Sequence, residues 1–73
     1  MWTKDRIHPK KVFQYISQAV THYHKLGFKQ SGLMTDTFRF MKHSDGRNVR
    51  IEFKNDVIVI QEQRRAGVAW EEV

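Results

Sequence analysis

The chain has 73 residues, with 13 Lys or Arg against 8 Asp or Glu and a formal net charge of +5. This length predicts one small domain, residues 1–73, with a marginal core, since about 60 residues bury only roughly 60% of their unfolded surface. It has no cysteine, which excludes a disulfide framework and thiolate sites. No apolar run approaches the roughly 20 residues of a membrane span or forms a signal peptide, so we expect a cytoplasmic protein without a membrane partner.

The N-terminal part predicts one amphipathic helix over residues 9–26. Pro9 suits the first turn of a helix, and Gly27 followed by Phe28 is typical of a left-handed helix end with an apolar contact behind it. Between these limits the apolar residues recur at spacings of three and four, which gathers them into one stripe. The stripe consists of Val12, Phe13, Ile16, Val20, Tyr23 and Leu26.

The central part predicts three strands, at about 36–43, 47–54 and 57–63. Before them, Gln30-Ser31-Gly32 indicates a loop, and we expect Leu33-Met34 to contact the core or to begin the first strand early. The fold class is therefore α+β, with the helix packed on a three-stranded antiparallel meander in the order 1-2-3. The tail, residues 64–73, either extends the third strand, forms a short helix or stays flexible.

Two turn dipeptides predict how the strands pair. If Asp45-Gly46 forms a two-residue type I′ loop, Phe40 pairs with Ile51 and Phe38 with Phe53 on the face that the helix covers. Arg39, Met41, Arg50 and Lys54 then lie on the other face. A second two-residue loop at Asn55-Asp56 pairs Phe53 with Ile58 and Ile51 with Ile60, which continues the inner face of the sheet.

The histidines and carboxylates do not predict an enzyme or a metal site. His22 and His24 are two residues apart on the predicted helix, about 160° around its axis, so they cannot share a metal ion. Glu52 lies opposite Arg39 in the predicted register, where a cross-strand ion pair accounts for it. We therefore expect no catalytic residue, no metal and no cofactor.

The basic charge favours a nucleic-acid partner, either DNA or RNA, because Lys and Arg attract polyanions over long distances. The leading prediction is a small non-catalytic domain, nucleic-acid-binding or a regulatory accessory protein. Its contacts would come from the outer sheet face and the basic hairpin tips. The predicted contact residues are Arg39, Lys42, Arg47, Asn48, Arg50 and Lys54.

The third strand favours a different function, that of a protein-interaction module or homodimer. Val57 and Val59 fall on the outer face while Ile58 and Ile60 take the inner one, so this strand is apolar on both sides. Monomers normally protect such an edge strand, because it can pair with another chain. Either the tail around Trp70 covers it, or a partner or second copy does, through Val57, Val59 and Trp70.

A short family resemblance runs from Lys25-Leu26-Gly27-Phe28 to the stretch 43–49. These motifs resemble part of the small HicA-type RNA-cleaving toxins, whose fold is similar to the double-stranded RNA-binding domain. Those toxins carry a histidine at the start of the first strand after a glycine, and this chain has Thr37-Phe38 there. The resemblance therefore implies an RNA-related fold without the nuclease residue.

Overall fold

The computed structural model describes residues 6–73, which form one helix packed against a five-stranded antiparallel sheet. The general α+β class is confirmed, and the sheet has two more strands than predicted. A short 3₁₀ turn, Pro9–Lys11, leads into α1, Val12–Lys25. The strands follow in chain order and are neighbours in that order: β1 Phe28–Gln30, β2 Phe38–His43, β3 Asn48–Lys54, β4 Val57–Gln63 and β5 Glu71–Glu72.

Helix α1 buries a narrower stripe than the spacing predicts. The buried helix residues are Val12, Ile16, Ala19 and Tyr23, and Val20 is partly buried against them. Phe13 and Leu26, which the predicted stripe includes, are 69% and 52% exposed and lie outside the core. Phe13 lies about 100° around the axis from Val12, which takes it off the sheet. Leu26 lies beyond the last helical residue.

The predicted register of the first hairpin is wrong by one residue. Met41 pairs with Val49 and Phe40 with Arg50. The N–H of His43 donates to the Arg47 carbonyl at 2.9 Å and that of Gly46 to the His43 carbonyl at 3.0 Å. The loop therefore has three residues and ends on Gly46, whose φ is +100°, a common alternative to the two-residue loop.

The one-residue change reverses the faces of β2, because successive strand residues point to opposite sides. Met41 is fully buried beneath the helix, whereas Phe38 and Phe40 are partly exposed on the other face. The prediction that both phenylalanines belong to the core is wrong. Arg39 also changes face and pairs with Ile51 rather than Glu52.

The second hairpin has the predicted register, with Phe53 opposite Ile58 and Ile51 opposite Ile60. Its two loop residues, Asn55 and Asp56, have φ values of 54° and 66°, as a type I′ turn requires. The β3 and β4 side chains beneath the helix complete the core, with Val49, Ile51, Ile58 and Ile60 buried and Phe53 packed at its border.

The two unpredicted strands lie at the sheet edges. β1 begins at Phe28, which is buried and pairs with His43. The loop after it leaves Leu33 and Met34 exposed at 75% and 53%, so the prediction that they contact the core or begin a strand is wrong. β5 is the returning tail, which pairs with Gln61 and Glu62 of β4.

Within residues 6–73, α1 is too short to cross a membrane.

Candidate nucleic-acid interface

The sheet surface opposite the helix, called here the open face, carries aromatic, basic and amide side chains. Strand alternation places these residues there, because their neighbours in β2, β3 and β4 are buried under the helix. The open face consists of Lys29, Phe38, Phe40, Lys42, Asn48, Arg50, Glu52, Lys54, Val57, Val59, Gln61, Gln63 and Glu72, together with Trp70 of the tail.

At the centre of the open face, Arg50 is held between Gln61 and Trp70. Its Nε donates to Gln61 Oε1 at 2.6 Å, and its guanidinium carbon lies 4.3 Å from the centroid of the Trp70 ring. Phe40, directly opposite Arg50 on β2, meets the same indole edge to face at 6.0 Å. These contacts fix the positions of a cation and two aromatic rings before any ligand arrives.

Asn48 and Gln63 form a second polar pair on the open face, and both are buried. Asn48 Nδ2 donates to Gln63 Oε1 at 2.7 Å, and Gln63 Nε2 donates to the Val68 carbonyl at 2.7 Å. The pair ties the tail to the sheet. Asn48 was predicted to contact nucleic acid, and the structure places its amide in a buried bond to Gln63.

Arg39 lies on the helix side of the sheet rather than on the open face. It is half-buried, lines a groove with Phe13, Met34 and Asp36, and donates from Nη1 to the Phe38 carbonyl at 2.8 Å. Its prediction as a contact residue on the outer face fails because of the register change in β2.

Arg47 lies at the tip of the first hairpin and is engaged by neighbours. Its backbone N–H donates to Asp45 Oδ1 at 3.0 Å, and its Nε donates to Asp45 Oδ2 at 2.7 Å. These two bonds hold the pKa of the Asp45 carboxyl below its usual value. The guanidinium also lies 5.2 Å from the centroid of the Phe28 ring. This predicted contact residue therefore stabilises the turn.

Lys42 and Lys54 are exposed on the open face. The predicted register places Lys54 on this face, whereas it places Lys42 on the helix side, and the register change in β2 moves Lys42 across. Lys42 lies opposite Lys29, an unpredicted cation, and its Nζ is 6.0 Å from the centroid of Phe40. The residues that define the open face thus include four cations and two carboxylates, Glu52 and Glu72. The other described carboxylates lie in loops or on the opposite side of the sheet.

The apolar edge formed by Val57 and Val59 is half-buried. At one end of β4 the N–H of Ile7 donates to the Asp56 carbonyl at 2.7 Å, and further along the N–H of Val73 donates to the Ile60 carbonyl at 2.9 Å. The two ends of the described chain therefore shorten the free edge to the stretch around Ile58. Trp70, predicted to cover that edge, lies instead on Arg50.

The histidines do not form a metal site in the described chain. Within residues 6–73, no three His, Asp or Glu side chains come together in a group that could hold a metal ion. His43 is instead part of the first turn, where its Nδ1 accepts from the Asp45 N–H at 3.0 Å.

The sequence reasoning missed the aromatic character of the open face. Phe38, Phe40 and Trp70 lie on this face, and the first two were assigned to the core. A usable signal was present, since Ser44-Asp45-Gly46 also fits a three-residue hairpin loop with glycine in the left-handed position. That alternative places both phenylalanines outward with Arg50.

Comparison with protein-family models, with curated proteins and with solved structures gives no match for this chain. The similarity to the HicA-type toxins is therefore limited to short motifs.

Proposed function

We propose that this domain binds nucleic acid through the open face of its sheet and has no catalytic role. The observation that carries the proposal is the clustering of Phe40, Trp70, Arg50 and Lys42 on one surface. Cations contribute phosphate affinity, and aromatic rings give bases a surface on which to stack.

Support also comes from the architecture. A helix-backed antiparallel sheet with partly exposed aromatic residues is the type of surface that RNA-recognition modules use to hold bases. The formal net charge of +5 adds a long-range attraction to polyanions. The two carboxylates of the open face weaken this attraction locally, so binding depends on the exposed lysines as well as on Arg50.

Salt dependence of binding tests the proposal directly. Fluorescence anisotropy with a labelled single-stranded oligonucleotide should show an affinity that falls steeply with salt, with a log–log slope of about −0.7 per phosphate contact. The double variant Lys42→Ala, Lys54→Ala should make the slope shallower by about 1.4 units, because two contacts are lost. Absence of binding to DNA and RNA at low salt would reject the proposal.

A charge-matched control separates specific contacts from the effect of net charge. Lys10 and Lys11 are exposed in the turn before α1, on the helix side of the molecule. The variant Lys10→Ala, Lys11→Ala removes the same charge as the test variant. We expect it to retain the wild-type slope, and equal losses in both variants would mean that the open face is not the binding surface.

A protein-interaction function stays a second proposal because β4 is apolar on both faces. Val57 and Val59 are half-buried rather than fully covered. The occupant would be a second copy that pairs with the free stretch around Ile58. The oligomeric state in solution tests this proposal.

A further inference from the structure

We infer that the open face takes single-stranded nucleic acid, with unpaired bases stacked on Phe38, Phe40 and Trp70, and that it reads little of the base sequence. This inference rests on the proposed function and specifies its ligand. It follows from the geometry of the three rings and from the hydrogen bonds of the amides around them.

The three aromatic side chains form a platform on the open face, in which the Phe40 and Trp70 rings are nearly perpendicular, at 74°. Phe38 and Phe40 are two residues apart on β2 and point to the same side, which separates their backbone positions by about 7 Å. Trp70 adjoins Phe40 at a centroid distance of 6.0 Å. All three are partly exposed, so two or three successive bases can reach them from solvent.

Arg50 prepares the platform for stacking. Its guanidinium lies 4.3 Å from the centroid of the Trp70 ring, and its bond to Gln61 holds it in that position. The indole is therefore positioned during folding, and ligand binding does not need to order it. A base on the opposite side of the indole would complete a stack of base, tryptophan and arginine, while Lys42 and Lys54 contact phosphates.

Duplex nucleic acid does not suit this surface. In a duplex the faces of the bases are covered by their neighbours, so aromatic rings on a flat sheet have no base face to contact. The nearby tip of the first hairpin, which could enter a groove, has its Arg47 guanidinium paired with Asp45 Oδ2 at 2.7 Å, so this arginine is already engaged within the protein. The face therefore favours strands whose bases are unpaired.

The amides of the open face point to weak sequence preference. Asn48 and Gln63 are buried and bonded to each other, and Gln61 accepts from Arg50. The amides of Asn48 and Gln63 and the carbonyl oxygen of Gln61 are thus used within the protein. Stacking contacts accept every base, because each has an aromatic face.

Four labelled probes of equal length test the inference by anisotropy: a mixed single strand, a homopolymer, an abasic strand and a duplex. The abasic strand keeps the phosphates and lacks the bases. We expect the mixed strand and the homopolymer to bind within a few-fold of each other, and the abasic strand and the duplex to bind at least tenfold more weakly. Equal binding of all four would overturn the inference while leaving the proposed function intact.

Variants that remove one aromatic ring at a time show which side chains of the platform stack with bases. Phe40→Leu keeps an apolar side chain, and it should weaken binding of the intact single strand by about 5- to 150-fold, the range for one stacked base. It should not change binding of the abasic strand. Phe13→Leu, on the exposed side of α1, is the matched control and should bind like wild type. An unchanged affinity for Phe38→Leu, Phe40→Leu and Trp70→Leu would reject the platform.

Fluorescence provides a second readout in the folded protein. Trp2 and Trp70 are the two tryptophans of the sequence, so a Trp2→Phe background reports on Trp70 alone. A stacked base should quench this emission when the intact single strand is added, and the abasic strand should leave it unchanged. Binding without quenching would show that Trp70 receives no base, and binding of no probe would reject both the inference and the proposed function.

Discussion

At the scale of single residues, Tyr23 is a buried group with a defined electrostatic environment. It is 3% exposed, and its hydroxyl donates to Glu62 Oε2 at 2.7 Å. Burial, followed by the hydrogen bond to the Glu62 carboxylate and the charge of that carboxylate, raises the pKa of the Tyr23 phenol well above its usual value. The hydroxyl therefore joins the end of α1 to β4 in its protonated form.

This shift predicts a loss of stability in alkali. The unfolded chain releases the phenolic proton near pH 10, whereas the folded chain retains it, so the contribution is complete below pH 10 and is lost as the pH rises above it. Tyr23→Phe should lower the free energy of unfolding by about 1 kcal/mol at neutral pH. Between pH 7 and pH 11 the stability of this variant should fall less than that of the wild type. Urea unfolding across this range measures both effects.

Tyr15→Phe is the matched control, because Tyr15 is only partly buried beside the core. The free energy of unfolding of Tyr15→Phe should fall between pH 7 and pH 11 as steeply as that of the wild-type protein. If Tyr23→Phe also declines as steeply as wild type, the buried phenol is not the group responsible.

At the scale of elements, the three-residue loop of the first hairpin determines which side chains of β2 face the helix and which lie on the open face. With Gly46 closing the loop, Met41 enters the core, and Phe40 lies on the open face against Trp70. The candidate binding surface exists because of this register. A measurement of stability can therefore test the position of the aromatic platform without any ligand.

We expect Met41→Ala to lower the free energy of unfolding by about 2–5 kcal/mol, because a fully buried side chain is removed. Phe40→Ala should cost clearly less, since that ring is partly exposed and is not part of the main core. Urea denaturation of the two variants gives the comparison. The opposite order, with Phe40 the costlier position, would support the two-residue loop instead.

At the scale of the whole molecule, the two ends of the described chain protect the edge of the sheet. Ile7 bonds to Asp56 in the turn before β4, and Val73 bonds to Ile60 beyond Ile58. The Asn48–Gln63 pair fastens the tail through the Val68 carbonyl. Edge strands left unpaired promote association with other chains. The part of this closure made by Val73 and the positioning of Trp70 both depend on the tail, residues 64–73.

We therefore expect the full chain to be monomeric at micromolar concentration by light scattering. Deletion of residues 68–73 should uncover β4 and produce dimers or larger species. Adding Val59→Lys to the shortened chain should restore a monomer, because a charge then lies beside the free edge. A full-length dimer that Val59→Lys converts to a monomer would instead support the interaction-module proposal.

The sequence by itself determined the elements whose signals are local. A helix is specified by the apolar spacing of α1, and a hairpin by the turn at Asn55-Asp56 and the β-branched residues of β4. Each of these signals depends only on residues close together in the sequence. The pairings of Phe53 with Ile58 and Ile51 with Ile60 follow from that turn alone. The composition likewise determined the net positive charge that supports the proposed function.

Only the tertiary structure decided which face of β2 is buried, because Ser44-Asp45-Gly46 fits both a two-residue and a three-residue hairpin loop. The choice depends on whether Met41 or Phe40 packs beneath α1, a sum of contacts between distant residues. β1 and β5 were also unpredicted, since each is short and pairs with the neighbouring strand across an irregular segment, residues 31–37 for β1 and 64–70 for β5. The aromatic platform is the product of these non-local choices, which bring Phe40, Arg50 and Trp70 together.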